Sequence, residues 1–283
     1  MNVNVANVEL NEFSWAEGNK GNCFVVGRNT KVLPSAFYTI AQNQDGTYSY
    51  YRQTVKTDEL ISFKNSMAAE ILAEIENFWN NADKFKQYGF LQRRGYMFYG
   101  PPGSGKTAIT EQIVSATIRN GGVAFMCRND PEDFAEGLSW FRRYEPDRPI
   151  VCLFEDIDSI IDRYGESDLL SCLDGENQVD HVLNIATTNY PEELDKRIIN
   201  RPRRFDRIVK IGFPDAKIRE QYFINKLKIG PNEVKKWVGV TKNFSFAAMT
   251  DLVINVKCFG YTLDDSAKKV AATLNVKADS KDF

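Results

Sequence analysis

The amino-acid sequence predicts an α/β fold built around a parallel sheet, and three observations predict it. Short apolar runs of strand length alternate with amphipathic segments of helix length between residues 95 and 227. A glycine-rich loop follows the first run, and two carboxylates end a later one. Strands that alternate with helices form parallel sheets, and such sheets bind ligands at the carboxyl ends of their strands.

The glycine-rich loop, residues 100–107, has the spacing of a phosphate-binding loop. Its sequence Gly-Pro-Pro-Gly-Ser-Gly-Lys-Thr matches G-x-x-x-x-G-K-T, whose backbone N–H groups cradle phosphate oxygens. We expect Lys106 to reach the β- and γ-phosphates and the Thr107 hydroxyl to bind Mg²⁺. An accidental glycine- and proline-rich turn is the competing interpretation; the preceding strand and the amphipathic helix predicted over 107–120 disfavour it. The predicted nucleotide-binding residues are Gly100, Pro101, Pro102, Gly103, Ser104, Gly105, Lys106, Thr107 and Ala108.

Apolar runs also predict the strands of the sheet, over residues 96–99, 123–127, 150–154, 182–188 and 207–211. Together with the loop they predict a P-loop NTPase fold with a doubly wound, parallel, five-stranded sheet. Strand patterns stop at Pro214, and the amphipathic segments beyond it predict a small all-α lid domain. Its predicted helices cover residues 216–227, 231–238, 246–258 and 263–274.

The N-terminal residues differ in composition from the rest and predict a short β-rich module. Aromatic and β-branched runs flank residues 43–46, where Asp-Gly is typical of a hairpin turn. A helical repeat of apolar residues then covers 59–80. The predicted domains are the N-terminal module (1–55), the large α/β domain (56–213), the lid (214–275) and a polar tail (276–283).

Composition and charge argue against several classes of protein. The formal net charge is −2, so the sequence as a whole gives no basic signal for nucleic-acid binding. No apolar run reaches the length of a membrane-spanning helix, and the N-terminus lacks the pattern of a signal peptide, so we expect no membrane association. The five cysteines are scattered without a C-x-x-C pair, and His181 is the single histidine. We therefore expect free thiols in a cytoplasmic protein and no zinc site.

The candidate catalytic residues follow two of the predicted core strands. Glu155 and Asp156 end a central strand, where one carboxylate can bind Mg²⁺ and the other can polarise the attacking water. Asn189 ends the neighbouring strand, and its amide can orient that water against the γ-phosphate. An N-cap role for Asn189 before Pro191 is the competing interpretation, and the two roles are compatible.

A basic cluster precedes and enters the last predicted strand. It contains Lys196 and Arg197 and continues as Arg-Pro-Arg-Arg-Phe-Asp-Arg over residues 201–207. Three interpretations stay open from the residues alone: a solvated face, a nucleic-acid-binding patch, or arginine fingers that reach the nucleotide of a neighbouring subunit.

These motifs, in this order and spacing, resemble the AAA ATPases over about residues 57–260. The shared elements are the phosphate-binding loop, the strand with paired acids, Thr-Thr-Asn, Arg-Pro-x-Arg-Phe-Asp-Arg and the helical lid. Within that family, three features most resemble the AAA domain of the mitochondrial translocases of the Rieske iron–sulfur protein. They are Arg-Arg-Gly-Tyr at 93–96, the Glu-Asp order of the acids, and Leu-x-x-Leu-Asp-Gly at 170–175.

The resemblance implies ATP and Mg²⁺ as cofactors. The implied catalytic residues are Glu155, Asp156, Asn189, Arg201 and Arg204, with Thr107 and Glu155 at the metal. In its terms Asp156 activates the water, Asn189 senses the γ-phosphate, and the two arginines act between subunits.

Three features depart from the usual AAA pattern. The acid pair is Glu-Asp instead of Asp-Glu, and Arg203 replaces a glycine between the two arginines. The segment after the second core strand also lacks the aromatic-apolar-glycine triplet by which many AAA rings grip a threaded polypeptide, and Phe134 is the nearest aromatic residue. Simple unfoldase threading is therefore disfavoured.

The sequence thus favours an ATP-hydrolysing homo-oligomeric ring, a hexamer or heptamer, that remodels or moves an unknown protein partner. One alternative is a nucleic-acid-associated AAA ATPase, such as a loader or recombination accessory, which the near-neutral charge disfavours. A second alternative is a nucleotide-switched scaffold with weak hydrolysis, which the shorter acid at Asp156 leaves open.

Overall fold

The computed structural model describes residues 14–17, 23–26, 30–54, 61, 63, 66–174, 179–199 and 204–274. Contacts divide the chain into two compact units, residues 1–35 and 36–283. In the first unit, β1 (Ser14–Glu17) and β2 (Cys23–Val26) pair as an antiparallel hairpin. The remaining elements named below belong to the second unit.

The second unit is built on one large sheet. Its strands are β3 (Phe37–Gln42), β4 (Tyr48–Arg52), β5 (Arg93–Tyr99), β6 (Val123–Met126), β7 (Ile150–Phe154), β8 (Val182–Thr188) and β9 (Arg207–Lys210). Within the described residues they lie in the order β4-β3-β6-β7-β8-β5-β9. All neighbours are parallel except β3 and β4, which form an antiparallel hairpin at one edge. The carboxyl ends of β5, β7 and β8 therefore meet at one edge of the sheet.

Helices cover the faces of this sheet. They are α1 (Met67–Trp79), α2 (Ala82–Gln87), α3 (Lys106–Arg119), α4 (Pro131–Tyr144), α5 (Ile157–Tyr164), α6 (Glu166–Asp174) and α7 (Lys196–Ile199). Because side chains alternate along a strand, β7 contributes side chains to the packing on both faces of the sheet. Val151 and Leu153 join the core formed with α1 and α3, whereas the ring of Phe154 lies 5.7 Å from that of Phe134 on α4.

The parallel α/β fold is confirmed, but the predicted strand count is wrong. The sheet has seven described strands instead of five, because the predicted hairpin extends the large sheet and is not part of a separate β-rich module. The physical reason is burial: Tyr38 and Ile40 are buried on β3, and the Tyr50 hydroxyl on β4 donates to the Gly137 carbonyl of α4 at 2.8 Å. The predicted helix over 59–80 is described from Met67 to Trp79.

The lid has a hydrophobic core of its own. Its helices are α8 (Ala216–Leu227), α9 (Pro231–Val240), α10 (Phe246–Val253), with a π-helical continuation (Ile254–Cys258), and α11 (Leu263–Leu274). Phe223, Val234, Trp237, Met249 and Leu252 lie at the centre of this core. Among the described helices, none is long and apolar enough to cross a membrane.

Candidate active site

The phosphate-binding loop connects β5 to α3 at the carboxyl edge of the sheet. Gly103 and Gly105 have φ values of +72° and +105°, which residues with side chains rarely adopt. A Cβ at Gly103 would lie 2.9 Å from the Cβ of Ala247, and one at Gly105 would lie 3.1 Å from the ring of Phe246. Glycine is required here both for the backbone conformation and because the lid packs directly on the loop.

Lys106 begins α3, and its side chain folds back over the loop. Its ammonium group donates hydrogen bonds to the carbonyl oxygens of Gly100 (2.8 Å) and Pro101 (3.2 Å) and to Oδ1 of Asn189 (2.7 Å). An ammonium has three N–H donors, so these acceptors saturate it. The structure therefore brings together the predicted phosphate-binding lysine and the predicted γ-phosphate sensor.

Glu155 and Asp156 follow β7, and their surroundings differ. Burial raises the pKa of the Glu155 carboxyl, the charge of Asp156 raises it further, and Arg128 lowers it. Asp156 is exposed, has a φ of +46°, and donates its backbone N–H to the hydroxyl of Thr187 at 3.1 Å. The two acids thus leave the strand in different environments.

The charges around the loop distinguish the acids further. Burial lowers the pKa of the Lys106 ammonium, whereas the carboxylates of Asp156 and Asp158 raise it. Glu155 acts instead on α3, where burial raises the pKa of the Glu111 carboxyl and the charge of Glu155 adds to the rise. Asp156 is therefore one of the acids that act on the phosphate-binding lysine, whereas Glu155 acts on Glu111.

Asn189 follows β8, which lies between β7 and β5 in the sheet. The preceding residue, Thr188, is fully buried, and its carbonyl accepts the backbone N–H of Gly100 at 3.4 Å. The Thr188 hydroxyl donates to Oδ1 of Asp158 at 2.7 Å. The sensor loop is therefore tied both to the phosphate-binding loop and to the helix that follows the acid pair. Sequence reasoning missed these hydroxyl contacts, although Thr-Thr at the end of a core strand was a signal for them.

The predicted intersubunit arginines are placed differently from each other. Arg201 lies outside the described residues. Arg204 is 3% exposed, and its guanidinium donates to the backbone carbonyl of Arg197. Arg197 is exposed and forms an ion pair of 2.7 Å with Glu166. In the single chain Arg204 therefore bonds to α7 and does not project from the surface.

A cavity of about 550 Å³ lies beside the loop, and sequence reasoning missed the aromatic residues that line it. Phe246 is central: its ring stacks on Phe63 at 5.7 Å and meets Tyr222 edge-on at 6.0 Å. Ile109 and Ile211 line the same cavity from α3 and from the end of β9. An apolar cavity next to a phosphate-binding loop has the size and chemistry to take the base of a nucleotide. The run Ser245-Phe246-Ala247 at the start of a lid helix was the available signal.

The residues present fit a nucleotide with a magnesium ion. The N-terminus of the fourteen-residue helix α3 follows the glycine cradle, and the buried Ser104 hydroxyl has no hydrogen-bond partner among the described residues. No three His, Cys, Asp or Glu side chains of the described ranges form a metal site by themselves. Mg²⁺ is usually held by one or two protein ligands together with phosphates and waters. Thr107, exposed in the first turn of α3, and Glu155 would hold it here.

Comparison with known proteins agrees with this geometry. The family model described as "ATPase family associated with various cellular activities (AAA)" matches residues 96–213. The chain therefore contains an AAA domain over these residues. A solved structure described as "Crystal structure of FIGL-1 AAA domain in complex with ADP" aligns with a TM-score of 0.54 and 22% identity, over 77% of this chain and 84% of that one, and supports the fold.

Two curated relatives are AAA proteases. The ATP-dependent zinc metalloprotease FtsH of Lancefieldella parvula is 31% identical over 203 residues, which are 65% of this chain and 31% of that protein. The mitochondrial inner membrane i-AAA protease supercomplex subunit YME1 of Saccharomyces cerevisiae is 27% identical over 234 residues, which are 76% of this chain and 29% of that protein. The chain thus spans about a third of the length of these relatives.

This AAA domain is an ATPase domain, and its cofactors are ATP and Mg²⁺. The predicted family, fold class and cofactors are therefore confirmed. The finer resemblance to the Rieske protein translocases stays a prediction, as do the individual roles of the site residues.

Proposed function

We propose that this AAA protein assembles as a homo-oligomeric ring, a hexamer or heptamer, and hydrolyses ATP to remodel or move a protein partner in the cytoplasm. The match to the AAA family model supports the ring, and the similarity to FtsH and YME1, whose names describe proteases, supports a protein client. Cys127, Cys152, Cys172 and Cys258 are free thiols, in keeping with a reducing compartment.

The observation that carries the proposal is the 2.7 Å hydrogen bond between Lys106 and Asn189. It joins the residue type that binds the β- and γ-phosphates to the residue type that can orient water against the γ-phosphate. Asp156 completes this group, because its carboxylate acts on Lys106. A protein that only binds nucleotide does not require an amide and a carboxylate at this position.

In this proposal Asp156 accepts a proton from the attacking water, and Glu155 with Thr107 holds the metal. Arg201 of one subunit stabilises the charge on the γ-phosphate of the next. We propose a supporting role for Arg204 instead of contact with the nucleotide, in accord with its burial and its bond to the Arg197 carbonyl.

The route by which the ring would act on a client is not an aromatic grip on a threaded chain. The segment between β6 and α4 is short and polar, with Arg128 and Asn129 exposed. Phe134, the nearest aromatic residue, is 3% exposed and packs on Phe154. We therefore favour remodelling or translocation of a folded partner.

The client can be trapped with Asp156→Asn, which we expect to bind ATP and retain its partner because hydrolysis is blocked. The tagged variant is used for affinity capture in ATP and, in parallel, in ADP. The matched control is the double variant that also carries Lys106→Ala and cannot hold nucleotide. Proteins enriched only with Asp156→Asn in ATP support the proposal.

Two other results would replace this function. ATP-dependent enrichment of nucleic acid, lost at high salt, would favour a loader or recombination accessory. Normal ATP binding with no turnover in the presence of captured partners would favour a nucleotide-switched scaffold.

The intersubunit arginine is tested by mixing two inactive proteins. Arg201→Ala should lower turnover about 10³-fold while ATP binding persists. Mixed with Lys106→Ala it should regain activity, because some interfaces then pair an intact loop with an intact arginine. A mixture that stays inactive, with wild-type activity independent of protein concentration, would place catalysis within one chain.

A further inference from the structure

A hydrogen-bond relay connects the helix after the acid pair to the sensor loop. The hydroxyl of Thr188, which is 0% exposed, donates to Oδ1 of Asp158 at 2.7 Å and accepts the backbone N–H of Tyr190 at 2.9 Å. Asn189 lies between the two bonded residues, so its backbone is fixed on both sides. Neither bond is needed to form the strand, since β8 ends at Thr188.

The amide of Asn189 has only one possible orientation in this arrangement. The Lys106 ammonium is a donor without acceptor capacity, so the group that faces it at 2.7 Å must be the amide oxygen. The amide NH₂ of Asn189 therefore points away from Lys106. With the carbonyls of Gly100 and Pro101, Asn189 completes the set of acceptors that occupies this buried lysine.

We infer that Asp158 and Thr188 are positioning residues, which hold the Asn189 amide against Lys106. Asn189 then competes with phosphate for Lys106. All three donors of Lys106 are already bonded, so a phosphate oxygen can bind it only by displacing one acceptor. The Asn189 amide is the side-chain acceptor among the three and can rotate away, whereas the other two are backbone carbonyls of the loop. The inference rests on the proposed nucleotide site but not on hydrolysis or on a client.

Asp158 also lies in the first turn of α5, where an acid can stabilise the helix through its dipole. That purely structural role makes a different prediction. A structural loss would lower stability and weaken nucleotide binding, whereas loss of the relay frees Lys106 and strengthens the binding of ADP. ADP is the suitable probe because it has no γ-phosphate for Asn189 to contact.

The test measures ADP affinity by calorimetry in four variants. Thr188→Val removes the hydroxyl at nearly constant volume, and Asn189→Leu removes the amide itself. We expect each to bind ADP about fivefold more tightly, because the hydrogen bond that phosphate must displace from the charged Lys106 is then weakened or absent. Thr188→Ser should return the affinity to the wild-type value. The matched control is Thr117→Val, which changes a buried threonine of α3 in the same way.

Asp158 is tested by comparing Asp158→Asn with Asp158→Ala. Both remove the charge that acts on Lys106, but only alanine removes the oxygen that accepts from Thr188. The relay predicts tighter ADP binding by Asp158→Ala than by Asp158→Asn. If Thr188→Val is too unstable to measure, Asn189→Leu decides alone, because the half-buried Asn189 side chain tolerates change better.

Unchanged or weaker ADP binding by Asn189→Leu would overturn the inference. Failure of the proposed function would give a different result: the wild-type protein would bind ADP normally but would not hydrolyse ATP. Wild-type protein that binds no ADP would overturn both.

Discussion

The backbone N–H of Phe246 donates to the carbonyl of Gly103 at 3.0 Å. The first residue of lid helix α10 is therefore hydrogen-bonded to the phosphate-binding loop. The ring of the same residue stacks on Phe63, so Phe246 joins the lid to the large domain in two ways. A rotation of the lid must either break these contacts or move the contacted residues with it. The position of the lid therefore directly affects the nucleotide site.

Phe246→Ala keeps the backbone donor and removes the ring. We expect weaker nucleotide binding, about three- to tenfold by calorimetry, and a lower melting temperature, because an apolar wall of the cavity is lost. Phe246→Pro is tolerated at the first position of a helix but also removes the donor, so its affinity should be lower still. Phe259→Ala is the control, since this lid residue is 66% exposed. Equal affinities for the alanine and proline variants would show that the bond to Gly103 is unimportant.

Lys106→Ala should reduce the affinity for ATP and ADP more than tenfold, a loss of more than about 1.4 kcal/mol. The cause is removal of the cation that binds the phosphates. Lys86→Ala, an exposed lysine on α2, controls for the general change in charge. Calorimetry is the measurement, and an unchanged dissociation constant would contradict the assignment of the loop.

Asp156→Asn should retain Mg²⁺-dependent ATP binding and reduce hydrolysis by about 10²-fold or more, because the variant cannot accept the proton of the water. Glu155→Gln should in addition weaken the effect of Mg²⁺ on binding, since one metal ligand loses its charge. Binding and turnover are measured separately for each protein. Hydrolysis by Asp156→Asn at the wild-type rate would move the base to Glu155 or Asp158.

The raised pKa of Glu111 gives a pH-dependent prediction. Burial and Glu155 raise the pKa of Glu111 in the folded protein, so the folded state binds a proton more readily than the unfolded state does. The stability from this group is present at low pH and is lost as pH rises through the folded-state pKa. Glu111→Gln should therefore raise the melting temperature without nucleotide, more at about pH 8 than at about pH 5. The prediction would be contradicted if Glu111→Gln changed the melting temperature equally at both pH values. It would also be contradicted if the exposed control Glu220→Gln gave the same change.

Much of the large domain could be predicted from local sequence. The loop at residues 100–107 and the central strands are confirmed, because buried parallel strands have short, largely apolar sequences that polar loops interrupt. The lid helices α8 and α11 agree with the sequence to the residue, since their apolar periodicity is local.

The remainder depended on contacts between distant segments. The position of β3 is set by its pairing with β6, whose partner residues Phe37 and Ala124 are far apart in sequence. The local pattern of apolar residues contains no information about which strand pairs with β3. The burial of Arg204 and the contact of Phe246 with the loop could not be predicted from the sequence for the same reason. Each depends on residues that are distant in sequence and become neighbours only in the folded chain.

The hairpin of β3 and β4 also decides where this chain can be shortened. A fragment beginning at residue 56 would match the predicted domain boundary, but it would leave one side of β6 with unpaired N–H and C=O groups. Exposed edges of this kind recruit strands from other molecules. Such a fragment would self-associate through its sheet, and a particle size measured on it would report edge-to-edge stacking instead of ring closure. A fragment beginning at Ala36 keeps that edge covered, so its subunit count can be trusted.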